Sequence, residues 1–420
     1  MLDIHFIREN KELVKEAAQK KHVIFDVDAL ITLDDKRLSL ARAVEDKRAL
    51  QNKASEEISR NEGSRDALIS KMQTLKSEME KEEEELKLVM GEWRNMMLQV
   101  PNIPDVSVPD GESDAENKEV KVWGGKTTFD FEPKDHMEVM KNLEIVDFER
   151  GVKVHGFRGY FLIGESVQLS FAIWNYALDF FSKKSFMPVM PPVIDRRENF
   201  IGTGMIPQNE DDLYKTQDGN YLAGTAEVPL MGFHMNEVLD KSKLPLKYLG
   251  FSPCFRLEIG SYSKDVKGLI RVNEFYKLEQ LILCEASHEE SVKLHEEINR
   301  NIEEFIESLK IPYRTVINCG ADLGLGQVKK YDVELWVPKE GKYREISSAS
   351  YFHDFQTRRL NIRYKGDDGK LHYAHSLNST AISTPRLLVS LVENYQQADG
   401  SIKIPEVLVP YIKKEVISRK

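Results

Sequence analysis

The sequence predicts an α+β protein with a long antiparallel coiled-coil arm near its N-terminus. Three observations lead to this prediction: a heptad repeat in the first hundred residues, a segment rich in proline and acidic residues after it, and mixed helix-like and strand-like segments beyond. We therefore divide the chain into an N-terminal domain at 1–100, with the arm at about 28–97, a linker at 101–119 and a large domain at 120–420.

The heptad repeat is strongest in the second half of the arm, where apolar residues recur in alternating steps of four and three. This seam consists of Leu68, Met72, Leu75, Met79, the polar Glu82, Leu86, Val89, Trp93 and Met96. The first half keeps the same phase at Leu33, Leu40, Val44, Ala54 and Ile58, with interruptions at Lys47 and Gln51. A turn signal at Asn61–Ser64 predicts two antiparallel helices. A dimerising coiled coil or one layer of a helical bundle explains the periodicity equally well.

The segments on either side of the arm have distinct patterns. A short amphipathic helix is predicted before it, from the spacing of Ile4, Ile7, Leu13, Val14 and Ala17. The segment PNIPDVSVPDGESDAENKE after it is rich in proline and acid, which is typical of a linker.

The charge balance limits the classes of function. Lys and Arg total 59 against 69 Asp and Glu, which gives a formal net charge of −10. This argues against a protein that coats nucleic acid through bulk charge, but it is compatible with a local basic patch.

The cysteines at 254, 284 and 319 are too widely spaced for a disulfide framework or zinc cluster, so we expect reduced thiols. The sequence has no signal-peptide core or membrane-length apolar segment, so we expect a cytoplasmic protein.

Charged side chains share one face of two predicted strands. The strands flank the polar loop Gly260–Gly268. Alternation predicts that one face of the pair, the charged face, carries Arg256, Glu258, Arg271, Asn273, Phe275, Lys277 and Glu279. The opposite face is predicted to be core, with Phe255, Leu257, Val272, Tyr276 and Leu278, and with Glu274 as the exception. A solvated face explains the charges, but a ring among them gains little in water. A site for a charged, ring-containing ligand explains both, because arginine binds phosphate bidentately and a ring can stack on a base.

Two later segments carry weaker signals of the same kind. Glu345 and Ser347 alternate with Ile346 on a strand-like segment, where a carboxylate and hydroxyls could hold Mg²⁺. A plain surface strand explains that pattern at least as well. Arg386 follows Pro385 at a predicted helix start, and both the arginine and the helix end would attract an anion. A single arginine near a helix start is more often a surface residue.

The order of these segments resembles the class II aminoacyl-tRNA synthetases. LSFAIWNYALDFFSKKSFMPVMPPVI is similar to motif 1, FRLE with Gly268–Glu279 to motif 2, and the strand and helix around Arg386 to motif 3. The further segments LDIHFIREN, GTGMIPQNEDDLY, GTAEVPL, EISSAS, LNSTAISTPR and ENYQQADGSIKIPEVLVPYI resemble the seryl-tRNA synthetase family. The resemblance runs through nearly the whole chain, in the order that the family has.

The resemblance implies a fold and an activity. The fold would be the class II antiparallel sheet flanked by helices, in a homodimer joined through motif 1. The enzyme would activate serine with ATP and Mg²⁺ to seryl-adenylate and transfer the seryl group to tRNA(Ser), with selenocysteine tRNA as a further candidate. Two alternatives are a synthetase-like ligase that loads an amino acid onto a carrier protein, and a non-catalytic coiled-coil interaction protein.

The resemblance also implies roles for individual residues. Catalytic roles fall on Arg256, Glu279 and Arg386. ATP binding falls on Arg256, Leu257, Glu258, Arg271, Val272, Phe275, Glu345, Ile346, Ser347, Ser348 and Arg386. Serine binding falls on Thr225, Ala226, Glu227, Arg256, Glu279, Asn378 and Thr380. Mg²⁺ would be held by Glu345 and Ser348.

Two further expectations concern the arm and a departure from the family pattern. The arm would bind the tRNA, and its basic candidates are Arg37, Arg42, Lys47, Arg48, Lys53, Arg60, Arg65 and Lys71. Asn273 and Glu274 stand where the family usually has His-Gln before the motif 2 phenylalanine. Because Asn273 is predicted on the charged strand face, we expect this departure to alter the ATP pocket.

Overall fold

The computed structural model describes residues 1–60, 65–259 and 267–419. The predicted features that fall outside the described residues are the turn at Asn61–Ser64, residues 260–266 of the polar loop, and the side chains of Arg65 and Leu68. The chain forms two units, the first made of Met1–Gln19 and Val23–Pro101, the second of Lys20–His22 and Asn102–Lys420.

Two long helices dominate the first unit. Its helices are α1 (Ile4–Glu9), α2 (Lys11–Lys20), α3 (Val27–Ser59) and α4 (Arg65–Met97). The Asp26 carboxylate caps α3 by accepting a hydrogen bond from the Ala29 N–H, which explains why the helix begins there. α3 and α4 pack along each other, and the predicted seam residues from Met72 onward are the less exposed positions of α4. The prediction of a paired helical arm is therefore confirmed.

The polar residues that interrupt the predicted seam meet each other in the structure. The Lys47 ammonium lies 2.8 Å from the Glu82 carboxylate and 3.1 Å from that of Glu78. Arg37 places its guanidinium 4.7 Å from the centroid of the Trp93 ring. These contacts join fixed positions of the two helices, and a polar pair in an apolar seam specifies its register.

The second unit contains the remaining helices and all the strands of the described chain. Its helices are α5 (His136–Asn142), α6 (Phe148–His155), α7 (Glu165–Ser182), α8 (Arg197–Thr203), α9 (Glu227–Gly232), α10 (His288–Ser308), α11 (Phe355–Leu360), α12 (Arg386–Tyr395) and α13 (Val409–Ile412). Its strands are β1 (Lys118–Trp123), β2 (Val146–Asp147), β3 (Phe161–Leu162), β4 (Met187–Val189), β5 (Ile194–Asp195), β6 (Tyr221–Leu222), β7 (Val238–Leu239), β8 (Leu246–Phe255), β9 (Glu274–Cys284), β10 (Tyr313–Ile317), β11 (Lys329–Val337), β12 (Lys342–His353), β13 (Arg363–Lys365), β14 (Leu371–Tyr373), β15 (His375–Thr384), β16 (Ile402–Lys403) and β17 (Val416–Ile417).

An eight-stranded sheet forms the centre of this unit. Its strand order is β1-β10-β11-β12-β15-β9-β8-β4, and every neighbouring pair is antiparallel except β4 with β8. The largest core cluster joins apolar residues of α7, α10 and α12 to residues of β9, β11, β12 and β15. Helices therefore cover the sheet and hold its long strands in place, and the ends of those strands position the candidate site.

Two features of this unit differ from the sequence expectation. The segment expected to be a linker packs into the unit, since Asn102 and Val108 are buried and β1 begins at Lys118. Tyr276, predicted to be core, is 38% exposed and lines an apolar groove, so that prediction is wrong. Within the described part of the chain, no helix combines the length and the apolarity that a membrane span requires.

Candidate active site

A cavity of about 320 Å³ opens where the ends of the central strands meet the start of α12. β9, β12 and β15 supply several of its polar side chains, and its size suits a small-molecule ligand. The predicted site residues that line it are Thr225, Glu227, Arg256, Glu258, Arg271, Val272, Phe275, Glu279, Glu345, Ile346, Ser348, Asn378, Thr380 and Arg386. One cavity thus brings together residues that are up to 161 positions apart in the chain, from Thr225 to Arg386.

The motif 2 segments reach the cavity by a route that differs from simple strand alternation. β8 ends at Phe255, and Glu258 has a left-handed backbone with φ 56°, so the chain is no longer extended there. The Arg271 guanidinium nevertheless lies 2.6 Å from the Glu258 carboxylate, and both side chains line the cavity. The prediction of one continuous strand face is wrong, but Arg256, Glu258 and Arg271 still converge on one site.

Asn273 has a bracing role in this segment. Its side-chain amide donates hydrogen bonds to the carbonyls of Arg256 at 2.9 Å and Leu257 at 3.1 Å. Asn273 is not among the described residues that line the cavity, and its expected effect on an ATP pocket stays a prediction. The amide instead fixes the backbone from which Arg256 extends.

Three arginines give one end of the cavity its positive charge. Arg256 donates to the Gly224 carbonyl at 3.2 Å, and its guanidinium lies 5.3 Å from the centroid of the Phe275 ring. Arg386, the first residue of α12, donates to the carbonyls of Ile270 and Glu345, each at 3.0 Å. Backbone oxygens thus orient the guanidinium groups of Arg256 and Arg386, whereas that of Arg271 pairs with the Glu258 carboxylate.

An irregularity in β12 decides which of its side chains face the cavity. Glu334 pairs with Glu345 and Val333 with Ser347, so Ile346 is an extra residue between two pairs. Such a bulge changes the alternation of the strand. Glu345 and Ser348, three positions apart, therefore both line the cavity, whereas Ser347 is buried and donates its hydroxyl to the Thr380 carbonyl.

The other end of the cavity is a buried polar cluster around Glu279. The Lys277 ammonium lies 2.7 Å from the Glu279 carboxylate and donates to the Thr225 hydroxyl at 2.7 Å. The Thr380 hydroxyl donates to the Glu279 carboxylate at 3.3 Å. The side chains of Lys277 and Glu279 are only 6% and 4% exposed, so their charges compensate each other away from water.

Glu227 is a second acid in this buried cluster. Its carboxylate accepts a hydrogen bond of 2.6 Å from the Gln356 amide. Burial, and next the negative charge of Glu279, raise the pKa of Glu227 to about 7, against the hydrogen bond from Gln356 and the charge of Lys277. This acid therefore exchanges its proton near neutral pH, unlike an ordinary glutamate.

The predicted site residues and the residues that line the cavity differ in both directions. Leu257, Ser347 and Ala226 are not among the described lining residues, and Ala226 packs in an apolar cluster instead. Strand alternation correctly predicts the face on which Lys277 lies, but it predicts no catalytic or binding role for this residue. The unassigned lining residues also include Thr203, Met205, Gln208, Asn209, Gly324–Gln327 and Phe352. Gln208 and Asn209 lie within the recognised segment GTGMIPQNEDDLY, whereas Gly324–Gln327 carries no sequence signal.

Comparison with known proteins identifies the family. The model of the seryl-tRNA synthetase N-terminal domain matches residues 1–104, and that of the tRNA synthetase class II core domain (G, H, P, S and T) matches residues 213–395. A serine–tRNA ligase of Thermodesulfovibrio yellowstonii is 42% identical over 99% of this chain and 100% of that protein. The chain belongs to the seryl-tRNA synthetase family. The resemblance inferred from the sequence is therefore confirmed.

Seryl-tRNA synthetases of known structure share the whole fold. That of Pyrococcus horikoshii, solved in complex with ATP, has a TM-score of 0.92 and 38% identity, with 100% of both chains covered. The cytoplasmic serine–tRNA ligase of Naegleria fowleri, solved with AMP, has a TM-score of 0.87 and 33% identity over 100% of this chain and 99% of that one. The predicted class II synthetase fold is confirmed. The function of the chain is that of the family, the ATP-dependent ligation of serine to tRNA.

Proposed function

We propose that the cavity binds ATP at its arginine-rich end and serine at its buried polar end, and joins them there. A carboxylate oxygen of serine attacks the α-phosphorus of ATP, and the bond from that phosphorus to the bridging oxygen of pyrophosphate breaks. A ribose hydroxyl of the terminal tRNA nucleotide then attacks the seryl carbonyl, and AMP leaves. The observation that carries the proposal is the division of one cavity into a cationic end and a buried acid–lysine end.

At the ATP end, we assign the α-phosphate to Arg256 and the distal phosphates to Arg271. Negative charge builds on the phosphate oxygens as the fifth bond to phosphorus forms, and a fixed guanidinium stabilises that charge. The adenine would stack between Phe275 and Arg386, with Glu258 at its edge. The Gly224 carbonyl that holds Arg256 supports this role, because it orients the guanidinium before ATP binds.

Glu345 and Ser348 are the residues that would hold Mg²⁺. A carboxylate and a hydroxyl are suitable ligands, and the bulge at Ile346 turns both side chains into the cavity. The Glu345 side chain is 47% exposed, so it is accessible to an ion from solvent. When bound, the ion would neutralise charge on the phosphates.

At the serine end, Glu279 and Glu227 are placed to recognise a small hydroxyl amino acid. We assign the ammonium of serine to Glu279 and Thr225, and its hydroxyl to Thr380 and Glu227. Alanine would leave these buried polar groups without a partner, and that penalty is larger than the loss of the bond itself. The pKa of Glu227 near 7 supports this assignment, because the acid can then donate or accept in the hydrogen bond to the substrate hydroxyl.

We assign the tRNA to the arm, through a subset of its basic residues. Lys47 and Arg48 are engaged in ion pairs between the two helices, and Arg37 lies against Trp93. In the described part of the arm, Arg42, Lys53 and Lys71 are exposed and make no ion pair within 4 Å. We therefore propose that these three contact the RNA phosphates, while Lys47 and Arg48 hold the helices together.

A second copy of the chain would cover the apolar groove beside α7. The groove is lined by rings that include Phe161, Phe171, Trp174, Phe251 and Tyr276, and Phe171 is 56% exposed. Its main helix, α7, belongs to the motif 1 segment through which the family is expected to dimerise. Phe171→Glu should convert the dimer to a monomer in analytical ultracentrifugation. A wild-type chain that sediments as a monomer would contradict this assignment.

We also propose a cytoplasmic location, where ATP, free serine and tRNA occur together.

Serine-dependent exchange of labelled pyrophosphate into ATP tests the first step. We expect exchange with serine and only background exchange with alanine. Absence of exchange with serine would overturn the assignment of the cavity. Charging of tRNA(Ser), and separately of selenocysteine tRNA, then tests the second step. Exchange without any tRNA charging would favour the carrier-protein ligase instead.

A further inference from the structure

One wall of the cavity is made of backbone. Gly324, Leu325, Gly326 and Gln327 all line the cavity, and we call this segment the carbonyl wall. The Lys21 ammonium donates to the carbonyls of Gly324 at 3.1 Å, Leu325 at 2.9 Å and Gln327 at 2.5 Å. Each of its three N–H groups thus has one acceptor, which is the full donor capacity of a lysine.

Asn102 completes this set of hydrogen bonds. Its side-chain amide donates to the Gly326 carbonyl at 3.0 Å and to that of Phe352, another lining residue, at 2.8 Å. Its backbone N–H donates to the Leu325 carbonyl at 2.9 Å. All four carbonyls of the carbonyl wall are therefore held by two residues that are far away in sequence.

Both of these residues are buried, which makes the arrangement costly to build. Lys21 and Asn102 are each 4% exposed, and no ion pair is formed by Lys21 within the described residues. Burial lowers the pKa of the Lys21 ammonium well below its ordinary value. A charge that is desolvated without a carboxylate is retained only where other groups replace water, as the three carbonyls do here.

The carbonyl wall borders the end of the cavity that we assign to serine. Gly326 packs against the Phe355 ring so closely that an added Cβ would lie 2.6 Å from it, and an added Cβ on Gly204 would lie 3.1 Å from the same ring. The next residue, Gln356, donates to the Glu227 carboxylate and to the Thr203 carbonyl. Phe355 and Gln356 thus connect the carbonyl wall to the acid that would recognise the serine hydroxyl.

The position of Lys21 and Asn102 in the chain is also specific. Lys21 lies in the three-residue segment Lys20–His22, which belongs to the second unit although its neighbours in sequence belong to the first. Asn102 is the residue at which the second unit resumes. Both residues that hold the four carbonyls therefore belong to the same unit as the cavity.

We propose that Lys21 and Asn102 are positioning residues for serine, which they serve by fixing the carbonyl wall at the serine end of the cavity. The assignment rests on the proposed function, since that function decides which end of the cavity receives serine. Neither side chain lines the cavity, so each acts through the backbone that it holds.

The test compares Lys21→Met and Asn102→Ala with the wild type in pyrophosphate exchange, with serine and ATP varied separately. We expect the KM for serine to rise roughly tenfold or more, since small displacements of a positioning wall are costly, while the KM for ATP stays within about twofold. Lys21→Arg, which keeps a buried donor and the charge, should recover part of the loss. The matched control is Lys20→Met, because the Lys20 ammonium makes an ion pair with the exposed Asp110 at 3.2 Å and should leave both constants unchanged.

The outcomes separate this proposal from the proposed function. A wild-type protein without serine-dependent exchange would overturn the function itself. An active wild type with an unchanged KM for serine in folded Lys21→Met and Asn102→Ala would overturn the positioning role alone. A parallel rise of both KM values would do the same. If Lys21→Met fails to fold, Asn102→Ala, which keeps the backbone hydrogen bond to Leu325, decides the question.

Discussion

Lys277 and Glu279 are two positions apart on β9, and their charged groups lie 2.7 Å apart with almost no exposure to solvent. Alternation along a strand places residues i and i+2 on the same face, so the sequence spacing itself creates this contact. The Lys277 ammonium compensates the negative charge of Glu279, which lies near Glu227. The same ammonium donates a hydrogen bond that fixes the Thr225 hydroxyl.

Lys277→Met should therefore damage both stability and serine binding. Removal of one partner of a buried ion pair leaves an uncompensated charge, so we expect the free energy of unfolding to fall by about 3 kcal/mol. The KM for serine should rise, because Thr225 and Glu279 lose their common partner. Denaturant unfolding and pyrophosphate exchange measure the two effects. Lys247→Met on β8 is the control, since the ammonium of Lys247 also makes an ion pair of 2.5 Å, with Glu297, away from the cavity. An equal rise in the KM for serine in both variants would contradict the assigned role.

Glu227 should make stability depend on pH between its two pKa values. Its pKa is about 7 in the folded protein, and that of an unfolded glutamate is about 4.5. The folded protein binds more protons in this interval, so its stability should fall as pH rises through it, by about 3 kcal/mol in total. Glu227→Gln removes the titration. Unfolding free energies of both proteins at several pH values between 4.5 and 8 should diverge in this sense, and parallel curves would refute the assignment.

Arg256→Lys should reduce the rate of adenylate formation with little change in folding. Lysine keeps the positive charge, but it loses the planar fork that contacts the Gly224 carbonyl and would contact the α-phosphate. We expect kcat for exchange to fall by about two orders of magnitude, as for the loss of a group that stabilises transition-state charge. Thermal unfolding should shift little, because the residue contributes no buried ion pair. An unchanged kcat would exclude Arg256 from the reaction.

Deletion of the arm should separate the two steps of the reaction. A chain that lacks about residues 28–97 keeps the whole cavity, since all the lining residues belong to the second unit. We expect exchange to persist and tRNA charging to be lost. In the intact chain, Arg42→Ala, Lys53→Ala and Lys71→Ala should each weaken tRNA binding and lower its salt dependence. Loss of exchange and charging together, in a folded deletion variant, would contradict this division.

The pair Lys47–Glu82 should reveal its role in a double-mutant cycle. Lys47→Leu alone leaves Glu82 without its partner in the seam, so the arm should melt at a lower temperature. Lys47→Leu combined with Glu82→Leu should restore or exceed the wild-type stability, because apolar seam residues pack better than a polar pair. Circular dichroism at increasing temperature measures both. Additive losses in the double variant would show that the two residues act independently.

The sequence predicts the arm and the motif residues because these depend on local rules. Heptad spacing places Met72 to Met96 along one face of α4, and strand alternation places Phe275, Lys277 and Glu279 together. Those rules fail where the backbone leaves its regular form. The left-handed backbone at Glu258 ends the extended chain after β8, and the extra residue Ile346 in β12 redirects Ser347. No residue pattern indicates either change. The carbonyl wall was missed for another reason, since it depends on contacts between Lys21, Asn102 and a segment more than 200 residues later.

The ion pair between Lys47 and Glu82 also governs how the arm can change its length. We call the end of the arm at Val27 and Met97 its root, and the end at Ser59 and Arg65 its tip. One residue inserted into α3 alone, between the root and Lys47, would turn that lysine by about 100° and shift it by about 1.5 Å relative to Glu82. A whole heptad inserted into each helix between the ion pair and the tip would leave the pair intact and extend the arm by about 10 Å. The reach of the arm is thus adjustable in modular steps at its tip, while the geometry of its root stays constant.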